Sequence, residues 1–137
     1  MKQVIPGINI QWPWSELLLS GKKTIETRTY PLPEKFRSVD LAIIETPGPR
    51  GKVEAGISSA RIVGTIRFSD SFQYKNKAQW SKDINKHQVA ADDPLYGWSN
   101  EKDKWAWIVE SVRPSKKTYP PPKKRGIIFA NGCELSI

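Results

Sequence analysis

The stretch Gly21-Lys22-Lys23-Thr24-Ile25-Glu26-Thr27-Arg28 marks the point where a short helix gives way to a strand. Three leucines at 17–19 supply one buried side of the helix, and the glycine that opens the stretch suits the turn that ends it. The β-branched, alternating run 24–30 predicts the strand. Because side chains two residues apart on a strand share a face, Glu26 and Arg28 are expected to lie side by side.

Outward from this stretch, alternation typical of strands recurs along the chain. The clearest case is Ser59–Ser69, where the pattern predicts one buried and one partly wet sheet face. Further strands are predicted at Val39–Glu45, Lys104–Val112 and Gly126–Ala130. A helix is predicted at Ala78–Ala91, and a long Gly/Pro-rich connection at Thr46–Ser58. We expect Ser59–Ser69 and Lys104–Val112 to be neighbours, with Ile62, Ile66 and Ile108 buried. The expected fold is mainly β with short helices (α+β), arranged as a small β-barrel with helical caps.

Length and composition predict one domain over residues 1–137. A chain of 137 residues and 15.6 kDa can bury about two thirds of its unfolded surface, and 38% of its residues are hydrophobic. No run of about 18 apolar residues occurs, so neither membrane insertion nor secretion is expected. One cysteine and one histidine cannot form an internal disulfide or the usual zinc site. We therefore expect a cytoplasmic protein without metal or cofactor.

The charge of the chain points to a polyanionic partner. The formal net charge is +8, and residues 111–133 contain no acidic residue. The basic residues of this segment are Arg113, Lys116, Lys117, Lys123, Lys124 and Arg125. Such clustering is typical of a surface that contacts the phosphates of a nucleic acid, so RNA is the first partner to consider.

Six tryptophans are many for this length, and most of them are expected in the core. Trp12 precedes the helix that leads into the opening stretch, and Trp98 lies in a polar loop. Aromatic side chains in such positions can stack on an unpaired or flipped base. Trp12 and Trp98 are therefore candidate ligand-binding residues. Tyr30 is a third candidate, since the predicted strand places it on the same face as Glu26 and Arg28.

The pattern GxKxxExR at residues 21–28 resembles the signature of the ASCH domain, a branch of the PUA-like RNA-binding folds. The resemblance extends to other stretches in the expected order. They are Gln11–Trp14, Val63–Ile66, Trp105–Glu110 followed by Arg113-Pro114, and the Pro-rich loop that closes on Gly126-Ile127. The resemblance implies a single PUA-like β-barrel that binds RNA or a modified nucleotide.

The charged residues of the signature suit a ligand-binding cleft on chemical grounds. Lys23, Glu26 and Arg28 can meet at one barrel mouth if the turn after Gly21 twists Lys23 inward. The two cations can hold a phosphate or a base carbonyl, and Glu26 can accept a hydrogen bond from a base amino group. An ordinary structural ion pair is the alternative.

One branch of the ASCH family hydrolyses the acetyl amide of acetylated cytidine, and the resemblance implies this activity as an alternative. That branch uses a lysine, a threonine and a glutamate. Lys23 matches the lysine, but Glu26 stands where the threonine falls, and Thr24 is one residue out of phase. Lys23 and Glu26 then remain as the catalytic candidates, with Glu26 as a general base toward water.

A substitute for the family's glutamate and a ribonuclease activity are two further possibilities for this region. The family's glutamate corresponds to the segment 86–93, where His87 or the pair Asp92 and Asp93 could substitute for it. A ribonuclease, the third reading, would draw its acid and base from Lys23, Glu26 and Tyr30. No nucleophile elbow, phosphate-binding glycine loop or metal-spaced carboxylate cluster occurs in the sequence.

Overall fold

Six β-strands and four α-helices make up the regular structure of the chain in a computed structural model, which describes residues 2–124 and 126–136. The strands are β1 (Lys2–Gln11), β2 (Ile25–Arg28), β3 (Leu41–Thr46), β4 (Arg61–Gln73), β5 (Trp105–Tyr119) and β6 (Phe129–Ser136). The helices are α1 (Trp14–Leu19), α2 (Gly48–Glu54), α3 (Lys77–Lys82) and α4 (Ile84–His87), with a 3-10 turn at Glu34–Phe36. The mainly β character and the short helices agree with the sequence-based expectation.

All six strands belong to one sheet, in the order β2-β5-β4-β3-β1-β6. β1 and β3 run parallel, and the other neighbouring pairs are antiparallel. Within the described residues β2 and β6 remain the two edges, so backbone hydrogen bonds do not close the predicted barrel. One reason is that β2 has only four residues and is soon followed by Pro31 and Pro33, which have no N–H to donate.

The two longest strands confirm the clearest sequence pattern. β4 and β5 pair antiparallel over most of their length, as predicted for Ser59–Ser69 and Lys104–Val112. Ile62 and Ile66 are fully buried. Ile108 is only half-buried, in the part of β5 that pairs with the edge strand β2.

Three segments differ from the sequence-based expectation. The connection Thr46–Ser58 contains α2, whose first turn includes Pro49. The single helix predicted at Ala78–Ala91 is two short helices, and Ile84 is largely exposed. The last strand begins at Phe129 and extends to Ser136, because it pairs with β1 over the first residues of the chain.

The core lies on the two faces of this sheet. One cluster is formed mainly by β1, β3 and β4, and its largest member is Trp107 of β5. A second, under α3 and α4, joins Ile25 of β2 to Trp80 and Val89. The second cluster fixes β2 against the helical segment, and this contact positions the candidate site.

None of the helices in residues 2–124 and 126–136 is both long and apolar enough to span a lipid bilayer. The same residues hold no group of three or more His, Cys, Asp or Glu side chains that could bind a metal ion.

Gly64 is expected to be essential for the pairing of β4 with β5. A Cβ at this position would lie 2.5 Å from the Arg113 carbonyl oxygen and 2.9 Å from the Leu19 side chain. Since the nearest atom belongs to the backbone, Gly64→Ala should cost about 1–3 kcal/mol of unfolding free energy. Thermal or urea unfolding measures the change.

Ser111→Ala provides the control, because Ser111 is exposed on β5 and pairs with Arg67 of β4. If Gly64→Ala were as stable as Ser111→Ala, the close approach of the two strands at this point would be disproved.

Candidate functional site

The turn between α1 and β2 brings Lys23 to the face of β2 that carries Glu26. Gly21 adopts a left-handed backbone with φ +82°, a conformation that favours glycine. Lys23 precedes the strand, and its N–H donates to the Leu17 carbonyl oxygen of α1, so strict strand alternation does not govern its side chain. Its Nζ lies 3.6 Å from Glu26 Oε1. The inward twist of Lys23, which the sequence analysis makes a condition for the three charges to meet, is therefore present.

Glu26 holds two cations around one buried carboxylate. Arg28 donates to Glu26 Oε2 from Nη2 at 2.9 Å and from Nε at 3.3 Å, while Lys23 faces the other oxygen. The exposed side-chain fractions are 1% for Lys23, 7% for Glu26 and 18% for Arg28. The cluster carries a net charge of +1 and is largely removed from water.

Burial affects the two cations differently. Burial lowers the pKa of Lys23, and Glu26 offsets this only in part. Burial also opposes the charge of Arg28, but Glu26 and Tyr30 outweigh it and raise the pKa of Arg28. Lys23 therefore gives up a proton more readily than an exposed lysine does.

Contacts outside the triad hold both cations in position. Lys23 Nζ donates to the His87 carbonyl oxygen and lies 5.1 Å from the centre of the Trp14 ring. Arg28 Nη2 donates to the Asn9 carbonyl oxygen at 3.0 Å. The triad thus connects β2 with α4 and with β1.

The triad lies at a cavity of about 140 Å³. Its lining residues are Gln11, Trp14, Lys23, Glu26, Thr27, Arg28, Val89 and Tyr96. Tyr96 packs edge-on against Trp14, with ring centres 5.8 Å apart, and its hydroxyl donates to Gln11 Oε1. Charged groups and aromatic rings therefore face the same small space.

Sequence reasoning missed five of these lining residues: Gln11, Trp14, Thr27, Val89 and Tyr96. Trp14 lies at the start of the predicted helix, and a tryptophan there is most often part of the core. Tyr96 lies in the same polar loop as Trp98, but the sequence analysis names only Trp98 as a candidate ligand-binding residue. No periodic pattern marks either residue as a cavity wall.

The structure separates the three aromatic ligand-binding candidates. The Tyr30 hydroxyl accepts a hydrogen bond from Arg28 Nη1 at 3.3 Å, so Tyr30 supports the triad. Trp12 lines a neighbouring groove and donates from Nε1 to Glu16. Trp98 lines neither space, because its ring packs against buried Trp80 with centres 6.0 Å apart.

The less favoured catalytic candidates lie outside the cavity. Thr24 is exposed just before β2 begins, and Asp92 is exposed on the loop after α4. Asp93 lines the neighbouring groove, where its Oδ1 accepts from the N–H groups of Leu95 and Tyr96.

His87 acts as a packing residue. Its ring stacks on Trp80 with centres 4.4 Å apart. Nδ1 accepts from the Val89 N–H at 3.0 Å, so Nε2 carries the proton that is donated to the Trp80 carbonyl oxygen at 2.8 Å. Burial lowers the pKa of His87, and both nitrogens are already engaged.

None of the described residues of the basic segment lines the cavity. Arg113, Lys116 and Lys117 are exposed on the C-terminal half of β5, and Lys123 and Lys124 are exposed in the loop before β6. Arg125 lies outside the described residues. Two surface grooves of about 580 Å³ each meet at Tyr119 and are lined in part by these cations.

Comparison with known proteins identifies the fold. No family model and no curated protein sequence matches the chain. The crystal structure of ASCH from Zymomonas mobilis matches with a TM-score of 0.59 and 18% identity, over 80% of this chain and 68% of that chain. A single-substitution variant of that protein gives a TM-score of 0.60 at 18% identity, over 81% and 70% of the two chains. The chain thus has a fold similar to that of ASCH proteins.

Glu26→Gln should destabilise the fold, because it keeps the shape of the side chain but leaves two largely buried cations without a counter-charge. Breaking a buried pair in this way costs about 3–5 kcal/mol. Thermal unfolding should show a midpoint lower by roughly 10 °C or more.

Glu54→Gln is the matched control, since Glu54 pairs with Arg50 on the exposed side of α2 and its loss should leave the midpoint nearly unchanged. Equal midpoints for Glu26→Gln and Glu54→Gln would show that the triad does not support the fold.

Proposed function

We propose that the cavity binds one base of RNA or of a modified nucleotide. The observation that carries this proposal is the buried triad of Lys23, Glu26 and Arg28 beside the rings of Trp14 and Tyr96. At about 140 Å³ the cavity is smaller than the roughly 300–1,000 Å³ typical of drug-sized ligands. A single base fits this size, with sugar and phosphate outside.

The hydrogen-bonding groups of the triad match the edge of a base. Glu26 accepts hydrogen bonds, as an exocyclic amino group requires, whereas Lys23 and Arg28 donate, as a ring carbonyl requires. Cytosine and guanine carry both groups on one edge. The aromatic rings add a surface for stacking, which is typical of the recognition of unpaired RNA bases.

The charge distribution supports a polyanionic ligand. The triad contributes +1 to a chain whose formal net charge is +8. The exposed cations of β5 and the following loop provide contacts for the backbone of a longer RNA, and we include Arg113, Lys116, Lys117, Lys123, Lys124 and Arg125 in this proposed surface.

A second candidate function is hydrolysis of the acetyl amide of acetylated cytidine. The observation that favours it is the Lys23–Glu26 pair, in which burial lowers the lysine pKa. Glu26 would take a proton from water as the hydroxide attacks the amide carbon, and Lys23 would give a proton to the departing amine of cytidine. Acetate and cytidine are the products. No threonine takes part in this scheme.

The first test measures nucleoside binding by calorimetry with cytidine, guanosine, uridine, adenosine and acetylcytidine. We expect cytidine or guanosine to bind, and Glu26→Gln to weaken that binding about 10- to 150-fold, because the base amino group loses a charged acceptor. Thr24→Ala is the control, since Thr24 is exposed beside the triad and outside the cavity.

Binding is measured at a temperature at which each variant is folded. A less stable Glu26→Gln protein with unchanged nucleoside affinity would reject base recognition. For the hydrolase, the ultraviolet spectrum of acetylcytidine reports turnover, and Lys23→Met should abolish it while nucleoside affinity stays within a few fold. Incubation with a short RNA tests for cleavage.

The basic surface predicts a salt-dependent affinity for single-stranded RNA. The logarithm of the binding constant should fall with the logarithm of salt concentration, with a slope of about −0.7 for each phosphate neutralised. Replacing Lys123, Lys124 and Arg125 together by alanine should make the slope shallower, because fewer counterions are released.

Lys75, Lys77 and Lys82 form the matched control, since they are three exposed lysines in or next to α3, outside the basic segment. A slope that changes equally in both triple variants would assign the effect to net charge alone.

A further inference from the structure

A second groove of about 210 Å³ adjoins the cavity, and the two spaces share Gln11, Trp14 and Tyr96 as walls. We propose that this groove binds the base of the adjacent nucleotide, so that the ligand is a single-stranded segment of at least two nucleotides. This inference rests on the proposed function of the cavity and extends it to a second subsite.

The walls of the groove suit a planar, apolar ring. Beyond the shared residues, the apolar lining consists of Trp12, Pro13, Pro49, Pro94 and Leu95. Among these apolar residues, Leu95 has a side chain that is 75% exposed. A base that entered the groove would remove water from this side chain and from the half-buried ring of Trp12.

Two groups of opposite charge lie in the same groove. The Arg50 guanidinium is 5.7 Å from the centre of the Trp12 ring, and the Asp93 carboxylate is fixed by the N–H groups of Leu95 and Tyr96. Arg50 is also paired with Glu54 of α2, so Asp93 is the less compensated of the two charges. The guanidinium and the carboxylate together offer a donor and an acceptor for a base edge. A phosphate would meet the repulsion of Asp93 and mostly apolar walls, which makes a base the better occupant.

An aromatic partition separates the two subsites. Trp14 and Tyr96 pack edge-on, and the Tyr96 hydroxyl bonds to the Gln11 side chain. Gly48 has φ +58°, and a Cβ there would collide with the Gln11 side chain, so glycine leaves room for this wall. Consecutive bases of one strand could therefore occupy the two sides of the partition.

The test compares each nucleoside monophosphate with a matched dinucleotide by calorimetry. Each of the four nucleoside 3′-monophosphates is compared with the dinucleotide in which adenosine is attached to that 3′-phosphate. Each of the four nucleoside 5′-monophosphates is compared with the dinucleotide in which adenosine is attached to that 5′-phosphate. Each pair then differs in the second nucleoside and in the phosphate, which carries less negative charge as the diester of the dinucleotide. For a basic protein this charge difference favours the monophosphate, so tighter binding of the dinucleotide reports the second nucleoside. For the wild-type protein, one series should show a dinucleotide bound about 5- to 150-fold more tightly than its monophosphate.

Variants assign this gain to the groove. Trp12→Ala and Leu95→Ala should each reduce the dinucleotide advantage and leave monophosphate affinity unchanged, and Trp12→Phe should restore most of it. Val53→Ala is the control, because Val53 is 85% exposed on α2 and lines neither space. Circular dichroism confirms that each variant is folded.

Two results would overturn the second subsite while leaving the base cavity in place. One is that every monophosphate that binds does so as tightly as its matched dinucleotide. The other is an advantage that survives in both Trp12→Ala and Leu95→Ala. If the wild-type protein bound none of these compounds, the proposed function itself would fail, and the second subsite with it.

Discussion

The Glu26 carboxylate, enclosed between Lys23 and Arg28, is the contact on which the geometry of the site depends. Three charges that are largely removed from water are tolerable only when they compensate one another and fill their remaining hydrogen bonds. Lys23 donates a hydrogen bond to the His87 carbonyl oxygen of α4, and Arg28 donates one to the Asn9 carbonyl oxygen of β1. Because β2 is a short edge strand, these side chains connect it to parts of the chain that it does not pair with. The same compensation fixes the donors and acceptors that a base would meet.

Local sequence pattern could predict this cluster because its geometry is mostly local. Two residues of one strand, Glu26 and Arg28, share a face whatever the rest of the fold does, and a glycine turn is the simplest way to bring Lys23 to them. β4 was predictable for a similar reason. Its alternation reports one buried sheet face, and Ile62 and Ile66 are indeed buried.

The other walls of the site depend on contacts between segments distant in sequence, which alternation does not report. Trp14 and Tyr96 meet across more than 80 residues of chain, and Tyr96 reaches Gln11 through one hydroxyl. The segment of α2 is rich in glycine and proline, which predicts a loop, although Pro49 suits a first helical turn. Both the series of predicted strands and the family resemblance favour a closed barrel, but backbone pairing between the edge strands is a long-range property that no local pattern contains. His87 was a chemical candidate by residue type, whereas its packing on Trp80 is a property of the fold.

Asn9 gives a physical reason to treat the cavity and the basic loop as parts of one surface. Its carbonyl oxygen accepts from Arg28, and its side-chain amide donates to the carbonyl oxygens of Gly126 and Ile127, where the basic loop ends. Its own N–H donates to the Ile128 carbonyl oxygen, so the end of the loop is held at three points. A base that engaged Arg28 would therefore lie beside a backbone segment whose position is already set. The entropy needed to order that end of the loop is spent in folding rather than in binding, which favours affinity for a ligand that contacts both.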